Sequence, residues 1–276
     1  MKFYKYTGLG NDFVLIDNLR GNIHIDGSIA KTMCNRYFGI GADGIILASK
    51  SENCDIRMEI YNSDGSIGEM CGNGSRCFAK FCYEKNLIKK ESLTVETLAG
   101  VIAPKLNIED GIVKDVTVDM GLPKFGSKDI PFKVNLDKVV NYPIQVDGKD
   151  YIITSMFMGV PHTIIFTDDV EDEKVISEGK KIEVSEYFPR KTNVNFVSII
   201  NRGEIILRTW ERAAGYTLAC GTGSCASVVA GIIGGYLDSK VKVHLRGGDL
   251  TIEWNKEEHV QMTGEAKEVF TGVYEI

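Results

Sequence analysis

One short cysteine–glycine pattern occurs twice in this chain, and that repetition constrains the fold more than any other feature. The first copy is Met70-Cys71-Gly72-Asn73-Gly74-Ser75-Arg76; the second, 149 positions later, is Ala219-Cys220-Gly221-Thr222-Gly223-Ser224-Cys225. In each, a cysteine stands at the mouth of a Gly-rich turn and a helical run follows. Two further landmarks repeat in the same order. Ile60-Tyr61-Asn62 and Thr209-Trp210-Glu211 each end a strand-like run nine residues before their cysteine. Thr7-Gly8-Leu9-Gly10-Asn11 and Met158-Gly159-Val160-Pro161-His162 both precede an apolar strand-like run, at an offset of 151. A single Gly-rich loop recurs by chance; three landmarks in register point to duplication. The chain is therefore expected to hold two copies of one fold facing each other, and 276 residues suffice for two domains of ordinary size.

Strand patterns dominate each half. A hairpin is expected from 2–6 and 13–16, joined by the polar loop 8–12. A helix is expected over 28–38, with Ser28 as N-cap and Ile29, Met33 and Tyr37 on one face. Strands follow at 45–48 and 55–61. A one-sided apolar helix runs from Gly74 to Glu84, on Cys77, Phe78, Phe81 and Cys82. Strands at 93–97, 101–108 and 113–120 close the first half, with Asp110-Gly111 as a type I′ hairpin signal. The second half follows the same plan, with strands at 139–146, 151–157 and 163–167, Asp147-Gly148 at a turn, and a polar helix over 171–185. Then come strands at 193–200 and 204–210, an apolar helix over 224–236 and strands at 241–245, 249–254, 258–263 and 268–275. Gly231, Gly234 and Gly235 fall inside that last helix and are expected to mark close packing. The seam is placed near 120–124, where a strand ends in Gly-Leu-Pro.

Paired sites of this kind suit a particular chemistry. A helix N-terminus presents unsatisfied N–H groups and the positive end of the macrodipole. Neighbouring glycines let a ligand carboxylate reach those groups. A cysteine there is expected to have its pKa pulled down, because the same field stabilises its thiolate. Two such sites can hold one small carboxylate with a thiol on each side. Inverting an amino acid α-carbon without pyridoxal phosphate needs that arrangement, since one group removes the proton and another returns one to the opposite face. The charge that grows on the carboxylate oxygens would be met by backbone N–H groups, in the manner of an oxyanion hole. No cofactor and no metal are called for.

Other classes fit less well. A cysteine before a glycine is most often a small buried hydrophobe, and Cys34, Cys54, Cys77, Cys82 and Cys225 lack the double context and read as structural. The cysteine spacings contain no Cys-x-x-Cys pair, and the loops lack the Gly-Lys-Ser/Thr ending of a P-loop. A net charge of −6 argues against nucleic acid or an anionic membrane as partner. No apolar run reaches the ~18 residues of a spanning helix. No export signal opens the chain, and an odd count of seven cysteines fits a reduced, cytoplasmic setting. On their own, His162 reads equally as a structural histidine and Glu211-Arg212 as a surface ion pair.

Together these motifs carry a resemblance: Gly8-Leu9-Gly10-Asn11-Asp12-Phe13, Asn62-x-Asp64-Gly65-Ser66, Cys71-Gly72-Asn73-Gly74-x-Arg76-Cys77, Pro161-His162, Glu211-Arg212 and Ala219-Cys220-Gly221-Thr222-Gly223. The chain resembles the diaminopimelate epimerase family over its whole length. The resemblance implies an α+β fold of two pseudo-symmetric domains, each a β-barrel wrapped around a central helix, with the site in the cleft. It implies domains at 1–120, with a returning strand at 265–276, and at 121–264. It further implies a cytoplasmic, often homodimeric isomerase acting on a small amino acid. Carried over, Cys71 and Cys220 are the acid/base thiols, supported by His162 and Glu211. Gly72, Asn73, Gly221 and Thr222 bind the reacting carboxylate, while Asn11, Asn62, Asn193, Glu211 and Arg212 place the rest of the substrate. The implied reaction is LL-2,6-diaminopimelate to the meso form. The chain departs from the family pattern at Gly44 (often Gln), Val160 (commonly Asn) and the run Ala213-Ala214-Gly215-Tyr216-Thr217. These changes keep open a racemase of another amino acid, such as histidine, on the same scaffold. A non-catalytic carboxylate-binding protein and a thiol redox protein are the alternatives from other classes.

Overall fold

The computed structural model describes residues 1–212 and 214–275. The chain divides into two compact units, Met1–Asp119 with Thr263–Ile276, and Met120–Met262.

In the first unit, β1 (Lys2–Gly8) and β2 (Asn11–Asp17) form a two-residue hairpin. Leu9 and Gly10 both take positive φ, +59° and +87°, as a type I′ turn requires. The helix α1 (Gly27–Cys34) is shorter than the pattern suggested. Its cap is Asp26, which accepts from the amides of Ser28 and Ile29. It ends at Cys34 because Asn35 turns extended and its side chain accepts from the amides of Tyr37 and Phe38. Tyr37, expected on the buried face, is 91% exposed. Next come β3 (Gly44–Ser49), β4 (Ile56–Asn62) and the short β5 (Ile67–Gly68). The helix α2 (Gly72–Glu84) buries Cys77, Phe78, Phe81 and Cys82. After β6 (Val95–Thr97), the expected strand over 101–108 is two, β7 (Gly100–Ile102) and β8 (Lys105–Glu109), and β9 (Ile112–Asp119) follows. Pro104 supplies no amide to a ladder at the break.

The second unit contains β10 (Val139–Val146), β11 (Lys149–Met158), β12 (Val160–Phe166), α3 (Asp172–Glu183), β13 (Asn193–Asn201), β14 (Glu204–Glu211), β15 (Gly215–Thr217), α4 (Gly221–Ile233), β16 (Lys240–Leu245) and β17 (Gly248–Glu253). The helix α4 stops three residues earlier than expected. Gly234 is its C-cap and Gly235 takes φ +76°, so these two glycines end the helix and only Gly231 lies within it. A Cβ on Gly231 would meet the Leu237 side chain at 2.3 Å, so the packing there is against a side chain. The chain leaves through β18 (Gln261–Gly264), and the last strand, β19 (Lys267–Val273), pairs antiparallel with β1 of the first unit.

The two sheets repeat one connectivity. In the first the order is β19-β1-β2-β3-β4-β6-β7, with β5 on β4; the second, an 11-stranded sheet, opens with the matching run β10-β11-β12-β13-β14-β16-β17, with β15 on β14. In each, a hairpin leads through a helix (α1 or α3) to a parallel neighbour. An antiparallel strand follows, then a second parallel crossover through α2 or α4. The buried helix is α2 in one unit and α4 in the other, each packed along several strands of its own unit. This is the α+β, two-domain architecture that the duplication and the resemblance called for. Among the described residues no helix is long and apolar enough to cross a membrane.

Candidate functional site

Each cysteine of the duplicated motif is a helix N-cap. Cys71 (φ −144°, ψ 119°) precedes α2 and Cys220 (φ −126°, ψ 106°) precedes α4. The helices begin at Gly72 and Gly221, earlier than the sequence suggested, so the glycines form the first turn itself. One local device closes both starts. The Ser75 amide and hydroxyl bond the Cys71 carbonyl at 2.7 and 2.9 Å, and Ser224 does the same to Cys220 at 2.9 and 2.9 Å. The first-turn amides of Gly72, Asn73, Gly221 and Thr222 have no intrahelical acceptor and are available to an anion.

Around Cys71 the polar groups form a chain. The Gly74 amide donates to Cys71 Sγ at 3.4 Å, and the thiol lies 3.6 Å from Asn11 Oδ1. Asn73 Nδ2 donates to the same Oδ1 at 3.4 Å. Asn11 is held from its other side, donating through Nδ2 to Asp43 Oδ2 at 2.6 Å. Arg36 bridges Asp43 and Asp12 at 2.7 and 2.8 Å. Burial alone would push Asp12 up, but Arg36 and Lys5 hold it down at about 2. Arg76, fully buried, donates to Asn73 Oδ1 at 2.8 Å. Asn11, Cys71 and Asn73 are thus brought together. Asn62 ends β4 and donates to Ser66 Oγ at 2.9 Å.

Cys220 is buried, where Cys71 is only half-buried. The sulfur is 3.6 Å from Thr222 Oγ1. Burial raises this thiol well above its ordinary value, and the Glu211 carboxylate raises it further by charge and by a hydrogen bond. The helix-end field does not win here, so the expected lowering is corrected for Cys220. Glu211 Oε1 accepts from Thr217 at 2.7 Å. Asn193, at the start of β13, accepts the Arg212 amide at 2.8 Å, and Arg212 Nη1 donates to the Arg190 carbonyl at 3.4 Å. His162 lies inside β12 rather than in a loop, because the turn is confined to Gly159 (φ +75°). It is fully buried, beside Asn193 in the parallel pair β12–β13. Burial, with the charge of Arg212, lowers its pKa to about 3, so the ring is neutral. His162 Nδ1 is 3.1 Å from Asn195 Nδ2, and Nε2 has no partner among the described residues.

Two residues of these networks, Asp43 and Asn195, are not singled out by the sequence, and Arg76 stands there only as part of the first motif with no role assigned to it. A signal for Asn195 exists, since Asn193 and Asn195 sit two apart on one face of a strand whose neighbouring residues Val194, Phe196 and Val197 are apolar. The remaining cysteines fit the structural role expected of them where a shift is seen. Burial pushes Cys34 to about 11, Cys77 to about 12 and Cys82 well upward.

The departures from the family pattern also have local causes. A Cβ on Gly44 would lie 2.8 Å from the Tyr61 carbonyl, so this backbone admits no side chain there. Val160 opposes Met158 across the Gly159 turn. Tyr216 donates to Asp172 Oδ1 at 2.6 Å and accepts from Arg246 Nε at 3.3 Å, so its hydroxyl serves α3 and the β16–β17 turn. Ala213 lies outside the described residues.

These local features have close relatives. The family model described as diaminopimelate epimerase matches residues 3–126 and 154–269. The chain is 47% identical over 277 residues to a diaminopimelate epimerase of Caldanaerobacter subterraneus subsp. tengcongensis, covering 100% of both chains. It is 46% identical over 276 residues to that of Pelotomaculum thermopropionicum, covering 99% of each. Among solved structures, a Bacillus anthracis phenazine biosynthesis protein of the PhzF family superposes with a TM-score of 0.69. It covers 100% of this chain and 99% of its own, at 16% identity, and so speaks for the fold alone. With a full-length match at nearly half identity, both cysteine motifs intact and the same topology in each unit, the chain belongs to the diaminopimelate epimerase family.

Proposed function

We propose that this isomerase converts LL-2,6-diaminopimelate to the meso form by exchanging the α-proton between two thiols, those of Cys71 and Cys220. One sulfur, as thiolate, takes the proton from Cα. The other, as thiol, returns a proton to the opposite face. Between the two steps the electron pair left on Cα spreads into the adjacent carboxylate, where the first-turn amides of Gly72, Asn73, Gly221 and Thr222 receive the added charge. Cys220, kept protonated by burial and by Glu211, is prepared as the donor. In the reverse direction Glu211 is the nearby acceptor that relieves it of its proton. Asn11, Asn62, Asn193 and Arg212 place the ammonium and the distal carboxylate, and His162 steadies the reacting end. The reading includes a homodimeric assembly in a reducing, cytoplasmic setting, which sedimentation of the purified chain with and without reductant examines.

The observation that supports this reading is that both cysteines are N-caps, each at the start of a buried helix whose first-turn amides have no intrahelical acceptor. The test is deuterium uptake at Cα in heavy water across a panel of amino acids. Exchange and inversion are expected with LL-diaminopimelate, and to be lost in Cys71→Ala and in Cys220→Ala. If diaminopimelate stays inert while histidine or another amino acid exchanges, the racemase reading replaces it. If nothing exchanges and both variants still bind ligand, the site is only an anion trap.

A further inference from the structure

Asn195 touches none of the residues the cysteine motifs bring to notice except through His162 and Gly223, yet both of its polar atoms are engaged in full burial. It sits in β13 opposite Ile164 of β12 on one side and Thr209 of β14 on the other. Its Oδ1 accepts from Thr209 Oγ1 at 3.0 Å. Its Nδ2 lies 3.3 Å from the Thr163 carbonyl and 3.1 Å from His162 Nδ1.

The orientation of this amide follows from the chemistry of its neighbours. A backbone carbonyl only accepts, so the Asn195 atom facing Thr163 must be the nitrogen. That same NH₂ group faces His162 Nδ1, which must then offer a lone pair. A neutral imidazole has one N–H, and with Nδ1 accepting, that proton is on Nε2. We propose that Asn195 is a positioning residue that locks His162 in the Nε2–H tautomer, so that His162 meets its ligand as a hydrogen-bond donor to an anionic oxygen or sulfur. The buried Nε2 has no acceptor among the described residues, which leaves that bond for the ligand to complete.

The motif glycine makes room for the arrangement. A Cβ at residue 223 would lie 2.4 Å from Asn195 Oδ1 and 3.2 Å from Cys220 Sγ. Gly223 is therefore where the thiol-bearing turn and the Asn195 bridge share space. His162 then cannot take a proton at Nε2 without first losing one. Its contribution is a fixed donor, and the acid/base work is left to sulfur and to Glu211. This last step rests on the epimerase reading; the tautomer does not.

The experiment is a two-bond ¹H–¹⁵N correlation spectrum of the full-length protein labelled with ¹⁵N-histidine, without substrate. Substitution of the three other histidines assigns His162. The expected pattern is Nε2–H, unchanged between pH 8 and pH 5. An Nδ1–H or imidazolium pattern overturns the proposal. In Asn195→Asp, the carboxylate facing Nδ1 can only accept, so the ring is expected to reverse to Nδ1–H. There kcat is expected to fall about 10- to 100-fold, the range seen when the partner that fixes the tautomer of a metal-bound histidine is changed, with KM within about threefold. A folded Asn195→Asp protein with a reversed ring and undiminished kcat refutes the positioning role. Should that variant not fold, the wild-type spectrum still decides the tautomer. Because the spectrum needs no turnover, its outcome is separate from failure of the epimerase reading, which appears as absent Cα exchange in the wild type.

Discussion

Gly74 and Gly223 occupy the same place in the two copies of the motif, three residues after their cysteines, but alanine should affect them very differently. At Gly223 the new methyl would sit 2.4 Å from Asn195 Oδ1, an atom fixed by Thr209 in a fully buried strand. Overpacking of this kind costs about 1–3 kcal/mol. If Asn195 turns away instead, the Thr209 hydroxyl and His162 Nδ1 lose their partner, at about 1–3 kcal/mol for each group left buried and unpaired. Alanine recovers only about 0.5–1 kcal/mol through its better helix propensity. The net expectation for Gly223→Ala is a loss of about 0–2.5 kcal/mol if the Asn195 bridge holds and about 1–5.5 kcal/mol if it breaks, together with disturbed Cys220 geometry. At Gly74 the nearest atom is Ile46 Cδ1 at 3.1 Å, the end of a side chain that can rotate. Gly74→Ala should stay within about 1 kcal/mol of wild type. Urea unfolding followed by far-ultraviolet circular dichroism ranks the two. A Gly223→Ala midpoint equal to or above that of Gly74→Ala would refute the reasoning, because it would mean Asn195 is free to give way.

Three further outcomes are expected. Because Cys220 is raised first by burial and then by Glu211, Glu211→Gln should lower its pKa and speed alkylation of the Cys220 peptide by iodoacetamide at fixed pH, read by mass spectrometry; an unchanged or slower rate would remove the carboxylate as a cause. His162 titrates near 6.5 in the unfolded chain and about 3 when folded, so the unfolded state binds the extra proton between those values. Stability should therefore fall as pH drops through that window, and His162→Gln should flatten the slope of urea midpoint against pH. Asp12, held at about 2, adds its own loss only below about pH 4. Tyr216→Phe removes a hydrogen bond to Asp172 and should cost about 0.5–1.5 kcal/mol without altering which amino acid exchanges; a changed preference in the deuterium panel would show that Tyr216 reads substrate.

How much of the fold and site is legible in the sequence depends on whether a signal is local. The hairpin turns are legible because Asp110-Gly111 and Asp147-Gly148 are short dipeptides whose positive φ the residue types favour. The duplicated cysteines are legible because repetition makes a weak motif specific. Helix boundaries are less so: Asp26 outcompetes Ser28 as the cap of α1, and the glycines that read as a turn are the first turns of α2 and α4. The state of Cys220 is hidden because a helix end is visible in sequence, whereas the burial that overrides it is a property of packing. Asp43 and Asn195 act through partners far away in sequence, Asn11 for the one and His162 and Thr209 for the other, so spacing can mark Asn195 on its strand face but cannot show what it touches.

The closure of the first unit by β19 has a consequence for how the molecule is made. The Met1 amino group donates to the Tyr274 carbonyl at 2.7 Å and the Tyr274 amide returns a bond to the Met1 carbonyl at 2.8 Å, so the edge beside β1 stays unpaired until residues 267–273 have left the ribosome. The strands β10 to β17 follow one another in the chain, so that run can pair before residues 267–273 are made. During synthesis the earliest residues wait longest for their partners, holding an open strand edge that invites mispairing.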